Sequence, residues 1–260
     1  DGAKSGENQS IVSNRLFRWK SECRKGQSFF KGGGQSLTLQ SALLHTQEET
    51  GCNAFFAVQD LTSGEVLAVH REDTPVPSAS LIKLPLLLCA LEAVQKGELS
   101  FDRQIPICEQ QHTGDSRTIA QGVSCAPLSF LIETMIVDSD NTAANVLIDF
   151  LGMERVNALC KTCGMLGTCL RRHMLDFEAA ARGEENNTTA RDILRFFSLL
   201  QEDAVLTPAL CETARRILLA QRDKAYLMYA MPKQRAAHKT GELPGIRHDA
   251  GILYGRKRTV

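Results

Sequence analysis

Hydrophobic and polar positions change period along this chain, and the changes mark out its elements. From Leu37 to Glu49, the positions Leu39, Leu43 and Leu44 fall on one side of an amphipathic helix. Two β-rich runs, Asn53 to Leu61 and Glu65 to His70, are broken by Thr62-Ser63-Gly64 and predict a hairpin. From Ser80 to about Gln95 the chain is apolar almost all round, the pattern of a core helix, with Pro85 near enough to its start to be tolerated. Phe101 to Cys108 reads as a short extended piece and Glu109 to Ser124 as surface loop. Apolar helices over Pro127 to Val137, Thr142 to Leu151 and Glu154 to Thr162 form a helical block. Thr168 to Asn187 has no clear period. Thr188-Thr189 then caps a helix over Ala190 to Gln201, and Thr207-Pro208 opens another towards Gln221, with proline at the first helical position. Gln234 to Val260 returns to strand, with turns at Pro244-Gly245 and Gly255-Arg256-Lys257.

Strands at both ends with helices between them imply an α/β (α+β) fold: an antiparallel sheet built from both chain ends, flanking helices, and an inserted all-helical subdomain. The expected division is a linker or disordered lead over residues 1–34, an α/β subdomain from 35–75 and 205–260, and a helical subdomain over 76–204. The active site is expected between the two subdomains.

Composition narrows the function. The 260 residues carry 30 basic and 30 acidic side chains, a balance that argues against a nucleic-acid surface or a polybasic membrane patch. No apolar run approaches the roughly 20 residues that span a bilayer. No signal peptide is seen, although the first residue is Asp1 rather than Met. Nine cysteines fit a reducing compartment, or a secreted protein from an organism tolerant of free thiols. Cys160, Cys163 and Cys169 cluster, with His173 as the nearest fourth ligand for a metal. Cys160 and Cys163, however, end a helix that Gly164 stops, so free thiols are expected, with no metal and no cofactor.

Candidate chemistry sits at three short motifs in chain order: Ser80-x-x-Lys83, Ser139-Asp140-Asn141 and Lys239-Thr240-Gly241. Residues three apart on a helix share a face, so the Ser80 hydroxyl and the Lys83 amine can meet. The positive end of the helix favours an anion at Ser80 and disfavours charge on Lys83. A hydroxyl beside an amine pushed towards neutrality is an activated nucleophile. Bringing a lysine to act near pH 7 requires lowering its pKa by about three, roughly 4 kcal/mol. Other nucleophile systems are missing: there is no G-x-S-x-G elbow and no H-E-x-x-H, and the six histidines are scattered. Ser139-Asp140-Asn141 also suits a helix cap, and His238 reads as a strand residue rather than a base.

With Ser139-Asp140-Asn141-Thr142-Ala143-Ala144-Asn145, and with Gly245, Arg247 and Asp249 after Lys239-Thr240-Gly241, the chain resembles the class A β-lactamases within the penicillin-recognising serine enzymes, over about residues 36–260. The resemblance implies a β-lactamase/transpeptidase-like fold and a serine acyl-hydrolase. Ser80 would form the acyl-enzyme, Lys83 would take its proton, and Ser139 would pass a proton to the leaving nitrogen. Asn141 would hold the substrate amide, while Lys239, Thr240 and Gly241 would bind the substrate carboxylate along a strand edge. The backbone N–H groups of Ser80 and Glu242 would form the oxyanion hole, where one donor is worth about 3–4 kcal/mol. The implied partner is a small β-lactam or a D-Ala-D-Ala-like peptide, and the implied location secreted or periplasmic, as a monomer if full-length. A closing strand and helix after Arg258 are also implied and are not in this sequence.

The resemblance breaks at deacylation. Class A enzymes use a loop glutamate in a Glu-x-x-Leu-Asn pattern, which is absent here; the loop from Leu170 to Asn187 offers Asp176 or Glu178 instead. Glu178 is the candidate base, but Phe177 to Ala181 reads equally well as a short helix with Glu178 in solvent. Two functions follow: a hydrolase that turns over a β-lactam or related amide or ester, or a covalent sensor or D,D-peptidase that acylates and deacylates slowly.

Overall fold

The computed structural model describes residues 38–116, 119–120, 122–256 and 258–260. The lead expected over residues 1–34 lies outside them. In chain order the elements are α1 (Leu39–Thr50), β1 (Phe56–Gln59), β2 (Val66–His70), β3 (Val76–Pro77), α2 (Lys83–Gln95), β4 (Gln104–Pro106), β5 (Cys125–Pro127) and α3 (Leu128–Val137). They continue with α4 (Asn141–Leu151), α5 (Met153–Thr162), α6 (Phe177–Ala181), β6 (Asn187–Thr188), α7 (Ala190–Gln201), α8 (Pro208–Leu219), α9 (Leu227–Ala230), β7 (Arg235–Leu243) and β8 (Ile246–Tyr254).

The two chain ends each supply an antiparallel hairpin. β1 pairs with β2, with an irregularity at Val58/Gln59, and β7 pairs with β8 in register from Arg235↔Tyr254 to Leu243↔Ile246. The turn between β7 and β8 needs Gly245, whose φ of 77° is the value that a type II turn demands after Pro244. Thr259 and Val260 lie between the hairpins. The Leu61 amide donates to the Thr259 carbonyl at 2.8 Å, and the Val260 amide to the Leu253 carbonyl at 3.0 Å. Helix α7 packs against both β1 and β8. Helix α1 is fixed to β2 by Gln40, whose amide donates to the Val69 carbonyl at 2.8 Å and accepts from the Val69 amide at 2.7 Å.

The core centres on α2. Its apolar positions do not form a stripe because α3, α4, α5 and α8 all pack on it, and Leu84, Leu86, Leu87, Leu88 and Leu91 are fully buried. Each such leucine contributes about 1.5–3 kcal/mol. Leu87→Ala would cost roughly 2–5 kcal/mol through the cavity it leaves. Pro85 occupies the first turn of α2, where an amide has no intrahelical acceptor to lose. Thr207 precedes Pro208 in the N-cap position of α8 as expected, but its side chain makes no capping hydrogen bond. Among the described residues no helix is long and apolar enough to cross a membrane.

Candidate active site

Three segments converge at the N-terminal end of the core helix. Ser80 lies in a 3-10 turn, Ala79–Ile82, and the α-helix proper begins at Lys83. Strand β7 runs past this turn. A Cβ built on Gly241 would stand 3.2 Å from the Ser80 amide nitrogen and 3.2 Å from the Ala79 Cβ, so a side chain there would push strand and turn apart by a few tenths of an ångström. The third segment is the α3–α4 junction. There Asp140 caps α4, accepting from the Ala143 amide at 2.9 Å, while its other oxygen accepts from the Ser116 hydroxyl at 2.6 Å. Ser139 and Asn141, on either side of that cap, are left to face Lys83.

Lys83 and Lys239 are both fully buried, and the amine of each is met by polar groups. The Lys83 amine donates to the Ser139 carbonyl at 2.5 Å, the Asn141 carboxamide oxygen at 2.7 Å and the Ser139 hydroxyl at 3.3 Å. Lys239 donates to the same hydroxyl at 2.9 Å and to the Thr240 carbonyl at 2.8 Å. The Ser139 hydroxyl donates in turn to the Ser80 hydroxyl at 3.1 Å. A single hydroxyl thus links nucleophile and both amines.

This differs in one respect from the sequence expectation. Lys83 reaches Ser80 through Ser139, because the Ser139 carbonyl and the Asn141 amide offer its N–H groups better acceptors than a hydroxyl. The geometry depends on strain: Ser139 has φ of 56° and Ala79, just before the nucleophile, φ of 46°. Side chains in that region cost about 1–3 kcal/mol each. At Ser139 the left-handed conformation lets carbonyl and hydroxyl point to one amine.

Burial, with the Lys239 charge beside it, pushes Lys83 well below its ordinary pKa, against the pull of Asp140 and Asp115. Burial lowers Lys239 to about 8, opposed by Asp223 and Asp249. Desolvation, rather than the helix end, is the leading cause at Lys83.

Several partners of the cluster carried no sequence signal. Asp115 accepts from the Asn141 carboxamide at 2.7 Å, turning its oxygen towards Lys83. Asp223 accepts from the Thr240 hydroxyl at 2.7 Å. Behind β7, His238 is buried with Asp249, Nδ1 to Oδ1 at 2.9 Å, and the second oxygen of Asp249 accepts from the Leu227 amide at 2.9 Å. His238 is accordingly a buried strand residue, as its sequence context suggested.

The segment from Cys169 to Asn187 forms a closed loop. Cys169 and Asn187 exchange backbone hydrogen bonds at 3.0 and 3.1 Å. Three asparagines grip the chain between them. Asn157 holds both backbone groups of Leu170 at 2.8 Å, and Asn186 accepts from the Arg171 and Arg172 amides while donating to the Arg172 carbonyl. Asn145 accepts from the Met174 amide at 2.7 Å and donates to its carbonyl at 3.3 Å. Arg172, buried, pairs with Glu185 at 2.6 Å. The Asn186 carbonyl also receives the Ser78 amide and hydroxyl, tying the loop to the turn that carries Ser80.

Asn141 and Asn145 are one turn apart on one face of α4, so the loop residue whose backbone Asn145 grips, Met174, is held one helical turn from the Asn141–Lys83 contact. Glu178 is exposed in the first turn of α6, and Asp176 is spent capping that helix through the Ala179 amide at 2.9 Å. The structure therefore brings together Ser80, Lys83, Ser139, Asn141, Lys239, Thr240 and Gly241, and leaves Glu178 in solvent. Cys160, Cys163 and Cys169 are free thiols. Among the described residues no group of three or more His, Cys, Asp or Glu side chains could hold a metal.

A family model described as the β-lactamase enzyme family matches residues 38–260. The chain belongs to that family. A β-lactamase regulatory protein, BlaB, from Streptomyces cacaoi is 30% identical over 84% of this chain and 85% of its own length. Among solved structures, an ancestral (GNCA) class A β-lactamase superposes with a TM-score of 0.77 at 27% identity, covering 85% of this chain and 86% of its own. A β-lactamase from Sphaerobacter thermophilus gives 0.76 at 26% identity, over 84% and 83%. The expected α+β fold and membership of the penicillin-recognising serine enzymes are both borne out. The chain is a β-lactam-related serine hydrolase or sensor.

Proposed function

We propose that Ser80 is the nucleophile of an acyl-transfer site, and that the acyl-enzyme formed with a β-lactam or D-Ala-D-Ala-like amide is long-lived. The observation that carries the acylation half is the Ser139 hydroxyl, held at once by Ser80, Lys83 and Lys239. Lys83, brought towards neutrality by burial, receives the Ser80 proton by way of Ser139. The Ser80 oxygen bonds to the carbonyl carbon, the carbon–nitrogen bond breaks, and Ser139 protonates the departing nitrogen and is refilled from Lys83. Net, one proton moves from Ser80 to the amine product.

The oxyanion is received by the Ser80 and Glu242 amides. Pairs in an antiparallel ladder alternate between hydrogen-bonded and open, and Leu243↔Ile246 closes the hairpin at a two-residue turn. That alternation makes Glu242↔Arg247 an open pair and turns the Glu242 amide away from β8. Lys239 and Thr240 line the end of the site that meets the substrate's carboxyl end.

The second half rests on Met174. A thioether has no useful proton affinity near neutrality, so the loop residue that Asn145 holds cannot activate water. A regulatory role, which the name of the Streptomyces cacaoi relative carries, suits a long-lived adduct. The competing reading is a fast hydrolase using Glu178. Intact-mass spectrometry after mixing with benzylpenicillin separates the two. The expected result is a stoichiometric adduct persisting for many minutes in the wild type and missing in Ser80→Ala. Rapid return to the native mass with ring-opened product, lost in Glu178→Gln, would replace it with the hydrolase. No adduct with any β-lactam or acyl ester would overturn the acylation reading.

A further inference from the structure

We infer that Asp223 sets the acyl-donor specificity of this site, selecting against a free carboxylate at the end lined by Lys239 and Thr240. The inference rests on the acylation reading and deepens it. Thr240 has one hydroxyl proton, and it is given to Asp223 at 2.7 Å. The other Asp223 oxygen accepts from the Ala225 amide at 2.9 Å, which fixes the carboxylate in place beside β7. A substrate carboxylate arriving at Thr240 must therefore take that proton from another carboxylate and then remain near it. One proton cannot serve two anions, and a like charge at this distance is repulsive.

The neighbouring cations do not relieve the conflict. Arg222 is paired with Asp138 at 2.5 Å, and Arg247 is paired with Glu242 at 2.8 Å and donates to the Leu243 and Ile246 carbonyls. Lys239 spends two of its N–H groups on Ser139 and Thr240, leaving one for the substrate. An acyl donor whose corresponding group is uncharged, such as an ester or a carboxamide, meets no such conflict. A carboxamide can also donate to the Thr240 oxygen, whose lone pairs remain open. The class of acyl donor that fits is thus an amide or ester with a masked carboxyl end.

The test compares two acylating probes on one preparation: benzylpenicillin and its methyl ester. Second-order acylation rate constants are read from the growth of the Ser80 adduct by intact mass. The ratio of the two constants is independent of how much of each variant is folded. Asp223→Asn and Asp223→Ser should each raise the free-acid-to-ester ratio by about tenfold or more, the scale of one hydrogen bond to a charged group. A purely structural role for Asp223 would change both constants in parallel and leave the ratio alone. An unchanged ratio in both variants overturns this inference while leaving the acylation reading in place. No adduct with either probe in the wild type overturns both.

Discussion

The cluster around Ser139 and the loop from Cys169 to Asn187 are both held by networks of hydrogen bonds but differ in chemistry. In the cluster, the Ser139 hydroxyl joins a second hydroxyl and two amines, all groups that can carry a proton. In the loop, the asparagine grips and the Arg172–Glu185 pair are spent on backbone and on one another, and the residue that Asn145 holds carries a thioether. Rigidity alone does not make a catalytic loop. What the difference teaches is that forming an acyl-enzyme and emptying it are separable properties, carried by separate stretches of this chain.

The comparison can be broken most severely at Lys83. Replacing it with methionine keeps the volume and removes the proton acceptor, so acylation by benzylpenicillin should slow by about 10³-fold, within the usual range for a general base. Stopped-flow mass or fluorescence measurements would show it; a loss under tenfold would mean that another group takes the proton. From the loop's side, Met174→Glu places a carboxylate where the Asn145 grip holds the chain. Deacylation, followed as decay of the Ser80 adduct, should accelerate by roughly 10²-fold, and Met174→Gln should not reproduce the gain. If both variants decay alike, position 174 does not face the ester.

A pH profile sharpens the contrast further. Lys83 must be neutral to accept a proton, so acylation climbs as pH rises through its lowered pKa. Towards benzylpenicillin, whose free carboxylate the Lys239 charge attracts against the repulsion of Asp223, acylation falls again as pH rises through about 8. Lys239→Arg, which stays charged, should move the falling limb upward by more than about one pH unit; an unmoved limb assigns it elsewhere. The smallest effect is expected at Asp115. Among the described residues its one hydrogen bond is to the Asn141 carboxamide, so Asp115→Ala should lower acylation by a few-fold up to about tenfold, through kcat rather than KM.

Much of this was legible in the residues themselves. Alternation in Val66 to His70, the unbroken apolar character of Leu84 to Leu91 and the cap pair before Ala190 each placed an element within a few positions of where it lies. Ser80, Lys83, Ser139 and Lys239 were legible because acyl-transfer chemistry requires those groups in short motifs. Asp115 and Asp223 were not, and Asn145 was legible as a motif residue but not in its role. They act through one or two hydrogen bonds across 26, 17 and 29 positions of chain, and no local spacing encodes such a pairing. Glu178 illustrates the converse. A carboxylate in the right loop is legible, but the direction of its side chain is fixed by Asp176, which starts a helical turn there and leaves Glu178 in solvent.

Among the described residues the two hairpins share no ladder of their own: β1 pairs only with β2, and β7 only with β8. Hydrogen-bonded continuity between them runs through Thr259 and Val260, which touch Leu61 on one side and Leu253 on the other. These two residues act as a splint between the α1 end of the molecule and the strand that carries Lys239. Mechanical or thermal loosening of that splint would let β7 tilt against the Ser80 turn, where Gly241 leaves only contact distance to spare. Amide exchange at Leu61 and Leu253 is therefore a remote gauge of how firmly the nucleophile is framed.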